Sequence, residues 1–240
     1  MSILQHEKVA EHYNRIRYPR YPWVFWGSWR DLERIHVQTW GATKKIEKAW
    51  LCGAGTIQPL LFGRRNPDVR FLATDLSTRS LREAHIRCLL HGVLNIEFRH
   101  EDVFNSKAHE EFDAIDAYGV LHHTVDPARA LAILARALKP GGVVRLMLYS
   151  TEARKYLEEI RSTLLGRKAD WNDAEVLQIL KERQVPLVGD LSSKAGRIDA
   201  LLHPQVITFN NEEIQNLING SGLRTLRQDS SGNHLIFLQK

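Results

Sequence analysis

The stretch AWLCGAGTIQPL, residues 49–60, is an apolar run that breaks at Gly53 and Gly55 and continues with a helical pattern. We predict a strand, a tight glycine turn and a helix here. This arrangement points backbone amides and a helix N-terminus at one place, which favours a phosphate or carboxylate group. A dinucleotide site requires a third glycine where this chain has Gln58, and the lysine of a P-loop is absent. The glycines alone therefore leave open a turn without any ligand.

Short apolar runs alternate with helical patterns around this turn, which is typical of βαβ units on a parallel sheet. The predicted strands are Lys48–Cys52, Arg70–Thr74, Ile96–His100, Phe112–Tyr118 and Val143–Tyr149. The predicted helices are Ile3–Tyr21, Thr78–His91, one after Asp126, Thr151–Leu165, Asp173–Arg183 and one within residues 210–223. Two further strands flank the turn SSGN, residues 230–233, and predict a C-terminal antiparallel hairpin.

These elements predict an α/β fold with a mostly parallel sheet. The predicted division of the chain is an N-terminal helical lid (1–46), an α/β core (47–150), an inserted helical cap (151–205), and a C-terminal helix with the hairpin that completes the core (206–240). The cap is polar and rich in charge, and no part of it has the pattern of a buried parallel strand.

Composition limits the class of protein. The chain has 240 residues, of which 43% are hydrophobic, enough to bury a full core. Neither a secretory signal nor an apolar run of about 20 residues is present, so we expect a cytoplasmic protein without a membrane partner. Cys52 and Cys88 form no CxxC or zinc-type spacing, so neither a disulfide nor a structural metal is indicated. The net charge of +5 is scattered along the chain, so a nucleic-acid partner is possible but not favoured.

Two acidic residues lie at the ends of predicted strands. Asp75 follows the glycines by roughly twenty residues, the sequence spacing at which an acid accepts both hydroxyls of a ribose. Asp102 ends the third strand, and FDAIDAYGVLHHTVDP, residues 112–127, passes from the fourth strand through a loop into a helix. The carboxyl ends of parallel strands meet at one edge of a sheet, where ligands bind in open α/β folds.

The order of glycine loop, Asp75, Asp102, YGVLHHTVDP, LKPGGVVRLMLYS and final hairpin resembles the class I S-adenosylmethionine-dependent methyltransferases, which have a Rossmann-like sheet. The resemblance covers roughly residue 47 to the C-terminus. More narrowly, YPRYP, LCGAGTIQP, MLYSTEAR and LLHPQVITFNNEEIQNLINGSGL look like methyltransferase domains found fused to tetratricopeptide repeats, although no such repeat occurs in these residues.

The resemblance implies an enzyme that uses S-adenosylmethionine, and it implies a role for each matching residue. The glycine loop faces the methionyl group, Asp75 holds the ribose, and Leu76 and residues 102–103 meet the adenine. Tyr13 lies where an N-terminal helix closes over the methionine carboxylate. The expected cofactor-binding residues are Tyr13, Cys52, Gly53, Ala54, Gly55, Asp75, Leu76, Asp102, Val103, Tyr118 and Gly119. Two alternatives stay open: Asp102 as the cap of the next helix, and Tyr13 as a packing residue.

Methyl transfer requires alignment of a nucleophile with the methyl group, and a general base is optional. His122 and His123 follow the fourth strand and are the candidate catalytic residues, with packing as the alternative. The expected acceptor is a small molecule, a peptide or a protein; the oligomeric state is not predicted.

Three alternative functions stay open. A cofactor-binding protein without turnover is suggested by Leu51, where an acid is common, and by Ile57, where a further glycine is common. The others are an RNA methyltransferase and a nicotinamide-dependent oxidoreductase.

Overall fold

The structure is a computed structural model that describes residues 2–23, 45–166 and 173–240, and these residues form a seven-stranded sheet. The strands are β1 (Lys48–Cys52), β2 (Arg70–Asp75), β3 (Ile96–His100), β4 (Phe112–Tyr118), β5 (Leu138–Leu148), β6 (Arg224–Asp229) and β7 (His234–Gln239). Their order is β3-β2-β1-β4-β5-β7-β6. The first five strands pair in parallel, while β7 is antiparallel to β5 and β6 is antiparallel to β7. The predicted fold class is confirmed.

Helices cover the sheet and connect its strands. They are α1 (Ser2–Arg15), α2 (Gln58–Arg65), α3 (Thr78–Leu90), α4 (Pro127–Ala137), α5 (Thr151–Gly166), α6 (Asp173–Glu182), α7 (Lys194–Leu202) and α8 (Asn211–Asn219). Three 3₁₀ turns lie at Val103–Asn105, Leu121–His123 and Gly189–Ser192. The described part of residues 151–205, which we call the cap, contributes no strand to the sheet.

Side-chain caps explain why the helices begin where they do. The Asp126 side chain accepts from the Arg129 amide at 2.9 Å, and Pro127 occupies the first turn of α4. Asn210 and Glu213 form a capping box at the start of α8. These signals are local in sequence, so they predict helix starts well.

Two element boundaries differ from the predictions by more than one residue. The first helix ends at Arg15 rather than continuing to Tyr21. Pro19 and Pro22 disfavour helical backbone at the residues before them, so the chain is not helical there. Strand β5 begins at Leu138, before the glycines at 141–142, because Leu138 already pairs with Phe112 of β4.

The segment after α1 is fixed to α3. Arg17 donates to Glu83 at 2.6 Å, and Arg87 donates to Glu83 and to the Tyr21 carbonyl, each at 2.7 Å. Ile16 packs with the apolar side chains of the cap helices. The described part of the predicted lid is therefore anchored on both the sheet domain and the cap; residues 24–44 of that prediction lie outside the described residues.

None of the helices in the described ranges is long and apolar enough to cross a bilayer. Cys52 and Cys88 are buried free thiols.

A buried ion pair links β4, the central strand of the sheet, to its neighbour β5. Asp116 on β4 and Arg145 on β5 are register partners, and Arg145 Nε donates to Asp116 Oδ1 at 2.5 Å. Both side chains are fully buried. Burial raises the pKa of Asp116, and the Arg145 charge opposes that rise. The guanidinium also lies over the ring of Tyr118, with Arg145 Cζ 5.0 Å from the ring centroid.

We predict that Asp116→Ala lowers the free energy of unfolding by about 3–5 kcal/mol, because a buried guanidinium is left without its carboxylate. The surface pair Arg99–Glu97 is the control, since both of its side chains are more than half exposed. Glu97→Ala should cost less than about 1 kcal/mol. Urea unfolding of the two variants and of the parent measures the difference; equal losses in both variants would contradict a structural role for the buried pair.

Candidate active site

A cavity of about 680 Å³ lies at the carboxyl ends of the parallel strands. Its floor comes from the ends of β1, β2, β4 and β5, at Cys52, Asp75, Tyr118 and Met147. The opposite wall comes from α1, from residues 18–21 and from the cap. This is the edge at which the sequence predicts a ligand.

The glycine loop forms one side of the cavity. Gly53 and Gly55 have φ of +63° and +58°, a region that side chains rarely adopt. A side chain on Gly53 would collide with Val120, because its Cβ would lie 2.4 Å from Val120 Cγ2. A Cβ on Gly55 would meet nothing within 4 Å. Gly53 is therefore required for packing of the loop, and Gly55 presents its open face to the cavity.

Asp75 is half-buried at the end of β2 and stabilises the loop. Its Oδ2 accepts from the Gly55 amide at 2.9 Å, and its Oδ1 accepts from the Ser77 amide at 2.8 Å. Burial raises the pKa of Asp75, and these amide hydrogen bonds partly offset the rise. Each carboxylate oxygen has a further lone pair, so the group can still accept from a ligand.

Asp102 has two partners within the protein. Its side chain caps the turn Val103–Asn105 by accepting from the Phe104 amide at 2.9 Å. Its Oδ2 lies 2.6 Å from Nδ1 of His6 on α1. The His6 ring stacks on Phe104 with centroids 5.1 Å apart. Asp102 thus has the capping role that the sequence left open as an alternative, and it also anchors α1 over the cavity.

Tyr13 lies on the cavity wall and interacts with the cap. Burial and then the charge of Asp199 raise the pKa of Tyr13 well above its ordinary value, so the phenol stays protonated. Its hydroxyl hydrogen-bonds to the carboxylate of Asp199, which is itself buried on the wall.

The two candidate histidines differ in position. His123 lines the cavity, whereas His122 is fully buried and packs on Tyr149 with ring centroids 3.8 Å apart. His122 does not reach the cavity wall. The predicted role of His122 as a base therefore has no support in the geometry, and the packing alternative describes it.

The proton position on His123 follows from its partner. Nδ1 lies 2.7 Å from the carbonyl oxygen of Gln205, and a carbonyl oxygen only accepts, so Nδ1 carries the proton. Nε2 keeps a lone pair. Burial lowers the pKa of His123 to about 4, so the ring is neutral at neutral pH. It is an available hydrogen-bond acceptor but a weaker base than an ordinary histidine.

The remaining predicted residues also lie on this wall; they are Cys52, Ala54, Leu76, Val103, Tyr118 and Gly119. Burial raises the pKa of the Cys52 thiol, so this group is not a thiolate. Wall residues that sequence reasoning missed include His6, Tyr18, Tyr149, Asp199 and Asn233. Tyr18 lies within the quoted YPRYP, but that motif did not indicate contact with the cap.

The cavity wall is acidic. Among the described residues it carries the carboxylates of Asp75, Glu101, Asp102, Asp190 and Asp199 and the guanidinium of Arg20. This balance favours a ligand with positive charge.

The two departures from the family pattern are accommodated by the fold. Leu51 is fully buried within β1. Ile57 is buried and packs with Leu60, Leu61, Cys88 and Val93.

Comparison with known proteins gives a family match. The family described as "Methyltransferase domain" matches residues 51–144. A protein of Synechococcus sp., syc1184_c, is 32% identical over 193 residues, which cover 73% of this chain and 46% of that protein. A ubiquinone biosynthesis O-methyltransferase of Paracidovorax citrulli is 30% identical over 108 residues, 44% of each chain. The chain thus matches less than half the length of either relative.

A solved structure shares the fold. PKMT2 from Rickettsia typhi, in complex with AdoHcy, superposes with a TM-score of 0.58 at 18% identity, covering 76% of this chain and 39% of that chain. The strand order and the glycine loop at the end of β1 thus give the Rossmann-like fold that this chain shares with PKMT2, and residues 51–144 match the methyltransferase-domain family.

Proposed function

We propose that the protein transfers the methyl group of S-adenosylmethionine to a small-molecule, peptide or protein acceptor. The observation that carries this proposal is the glycine loop. The Gly55 amide donates to the Asp75 carboxylate, and a Cβ on Gly55 would meet nothing within 4 Å, so the loop leaves space beside a cavity of about 680 Å³. The loop lies within the residues that match the methyltransferase-domain family.

The cavity fits the cofactor in size and charge. Its volume lies within the range of roughly 300–1,000 Å³ that is usual for ligand sites. S-adenosylmethionine carries a net positive charge at neutral pH, and the described wall has more carboxylates than guanidinium groups. A solved relative binds AdoHcy, the demethylated form of this cofactor. The Asp75 oxygens can accept from ribose hydroxyls while they hold the loop.

Bound S-adenosylmethionine would supply an electrophilic methyl group on a sulfonium. The residues of this chain bind and orient the reactants: the glycine loop holds one end of the cavity, while α1 and the cap cover the other and exclude water. His123 Nε2 can accept a hydrogen bond from an acceptor hydroxyl or amine and orient its lone pair. His123 Nε2 or water would take the proton that the acceptor hydroxyl or amine releases.

Calorimetry and a product assay separate this function from the alternatives. We expect S-adenosylmethionine and S-adenosylhomocysteine to bind and NAD not to bind, and we expect a methylated product from a panel of phenols, amines and peptides. Binding without product across the panel would favour the cofactor-binding protein without turnover. Binding of NAD alone would overturn the proposal.

Two finer points belong to the same proposal. The quoted motifs favour kinship with the methyltransferase domains fused to tetratricopeptide repeats. We also propose the division into lid (1–46), core (47–150), cap (151–205) and C-terminal unit (206–240), with the cap selecting the acceptor because Asp190, Ser193 and Asp199 bring it to the wall.

Asp75→Ala should weaken S-adenosylmethionine binding by about 1–3 kcal/mol, since the ribose hydroxyls would be buried without their acceptor. The Gly55 amide would also lose its hydrogen bond to the Asp75 carboxylate. Asp126→Ala is the control, because it removes a comparable amide-accepting carboxylate away from the cavity and affects only the cap of α4. Calorimetry should show reduced affinity for the first variant alone. Parent-like affinity of Asp75→Ala would remove the ribose assignment.

A larger side chain on Gly55 tests the open face of the loop. Gly55→Val should abolish cofactor binding because the side chain would enter the cavity and strain a residue with φ +58°. Gly92→Val, at φ +69° with equally open surroundings but away from the cavity, should carry similar strain and still bind. If both variants bind S-adenosylmethionine equally well by calorimetry, the loop is not the cofactor site.

His123→Gln should lower turnover about tenfold, because the hydrogen bond that orients the acceptor is disturbed, and it should leave cofactor affinity nearly unchanged. His122→Gln should mainly lower the melting temperature. The pKa of about 4 also fixes the sign of the pH effect. His123 stays neutral as pH falls from about 8 to about 6, so kcat/KM should show no limb near the ordinary histidine pKa of about 6.5. The assay uses an acceptor found in the panel; parent-like turnover of His123→Gln would leave His123 a packing residue.

A further inference from the structure

Three buried side chains from two distant segments of the chain converge between α1 and the cap. They are His12 on α1, Asp199 on α7 and His203 just after α7, and each is at most 3% exposed. One nitrogen or oxygen atom of each lies within 4.8 Å of the others. His12 Nε2 and Asp199 Oδ1 are 3.4 Å apart, close to the separation of about 3.3 Å between ligand atoms around a tetrahedral zinc.

Two of the converging polar atoms have no hydrogen-bond partner. His203 Nε2 is buried without one, and Asp199 Oδ1 makes no hydrogen bond although it lies within ion-pair distance of His12 Nε2. Buried polar atoms of native proteins are rarely left in this state, because the loss of hydration is not compensated. The arrangement indicates an occupant that bridges them.

The orientation of His203 is fixed by its packing. Its ring stacks on His123 with centroids 3.8 Å apart and lies 4.5 Å from the ring centroid of His12.

We propose that His12, Asp199 and His203 bind a divalent transition metal, with Zn²⁺ as the ion to test first. Two imidazoles and a carboxylate suit Zn²⁺, Co²⁺ or Mn²⁺ better than the oxygen-preferring Mg²⁺ and Ca²⁺. Three protein ligands leave a coordination position open. Asp199 lies on the cavity wall beside Tyr13, so the ion would join α1 to the cap and close the cavity at that point.

Asp199 and His203 are four residues apart and His12 lies in a distant segment, so no Cys/His cluster at zinc spacing is visible in the sequence. The expectation of no structural metal rested on spacing alone, and it does not extend to sites assembled from separate segments.

One existing contact must change when the metal binds. The Gln205 amide donates to His203 Nδ1 at 3.1 Å. Coordination by Nδ1 would take the lone pair that this amide uses, and coordination by Nε2 would move the ring proton to Nδ1. Either way the Gln205 hydrogen bond ends. A single neutral hydrogen bond is weak compared with a metal site of three protein ligands.

Titration of the tag-free full chain with Co²⁺ and Zn²⁺ tests the site. We expect a single equivalent of Zn²⁺ to bind with micromolar affinity or tighter, a visible Co²⁺ spectrum that Zn²⁺ displaces, and no response to Mg²⁺. His203→Gln and Asp199→Asn should each weaken Zn²⁺ binding at least tenfold. His109→Gln, at an exposed histidine outside the cluster, should bind as the parent does. Absence of Zn²⁺ binding, or equal binding by all variants, would overturn the proposal.

Wild-type measurements keep the test valid if a cluster variant fails to fold. X-ray absorption of the zinc-loaded parent should show nitrogen and oxygen ligands with imidazole scattering and no sulfur. The amide resonance of Gln205 should shift on Zn²⁺ addition more than those of distant residues. Sulfur ligation, or an unmoved Gln205 amide with zinc bound, would place the ion elsewhere and refute this site.

Discussion

Parallel pairing of β1 with β2 on one side and β4 on the other is the constraint on which the candidate site depends. Because the chain leaves β1 towards one side of the sheet and returns on the other, the connecting loops diverge and leave a crevice between them. The glycine loop lies in this crevice. Asp75 at the end of β2 and Tyr118 at the end of β4 flank it.

The parts of the fold that the sequence predicts are those determined by neighbouring residues. The bounds of β1, β3 and β4 follow from short apolar runs between turn residues, and the start of α4 follows from Asp126 and Pro127. All of the predicted cofactor residues lie on the cavity wall, and all except Tyr13 belong to strand ends or to the loops that follow them, which are local features. The roles assigned to them by resemblance stay predictions.

Contacts between distant segments were not predictable in this way. No local pattern brings His6 to Asp102 or Tyr13 to Asp199, since each pair joins α1 to a different part of the chain. The difference between His122 and His123 has the same origin. Adjacent residues in a 3₁₀ turn face different directions, and only the packing of Tyr149 and the position of Gln205 decide which ring reaches the cavity.

The two ends of the cap meet at one point of the sheet. The Thr151 amide donates to the Phe209 carbonyl at 3.0 Å, and the Phe209 amide donates to the Tyr149 carbonyl at 2.9 Å. The chain therefore leaves the sheet domain before the cap, and returns to it after the cap, at the same β-bridge. An insertion whose ends are adjacent can be lengthened, shortened or exchanged without moving a strand. Evolution, or a protein engineer, can therefore vary the segment that faces the acceptor while the glycine loop and Asp75 stay unchanged.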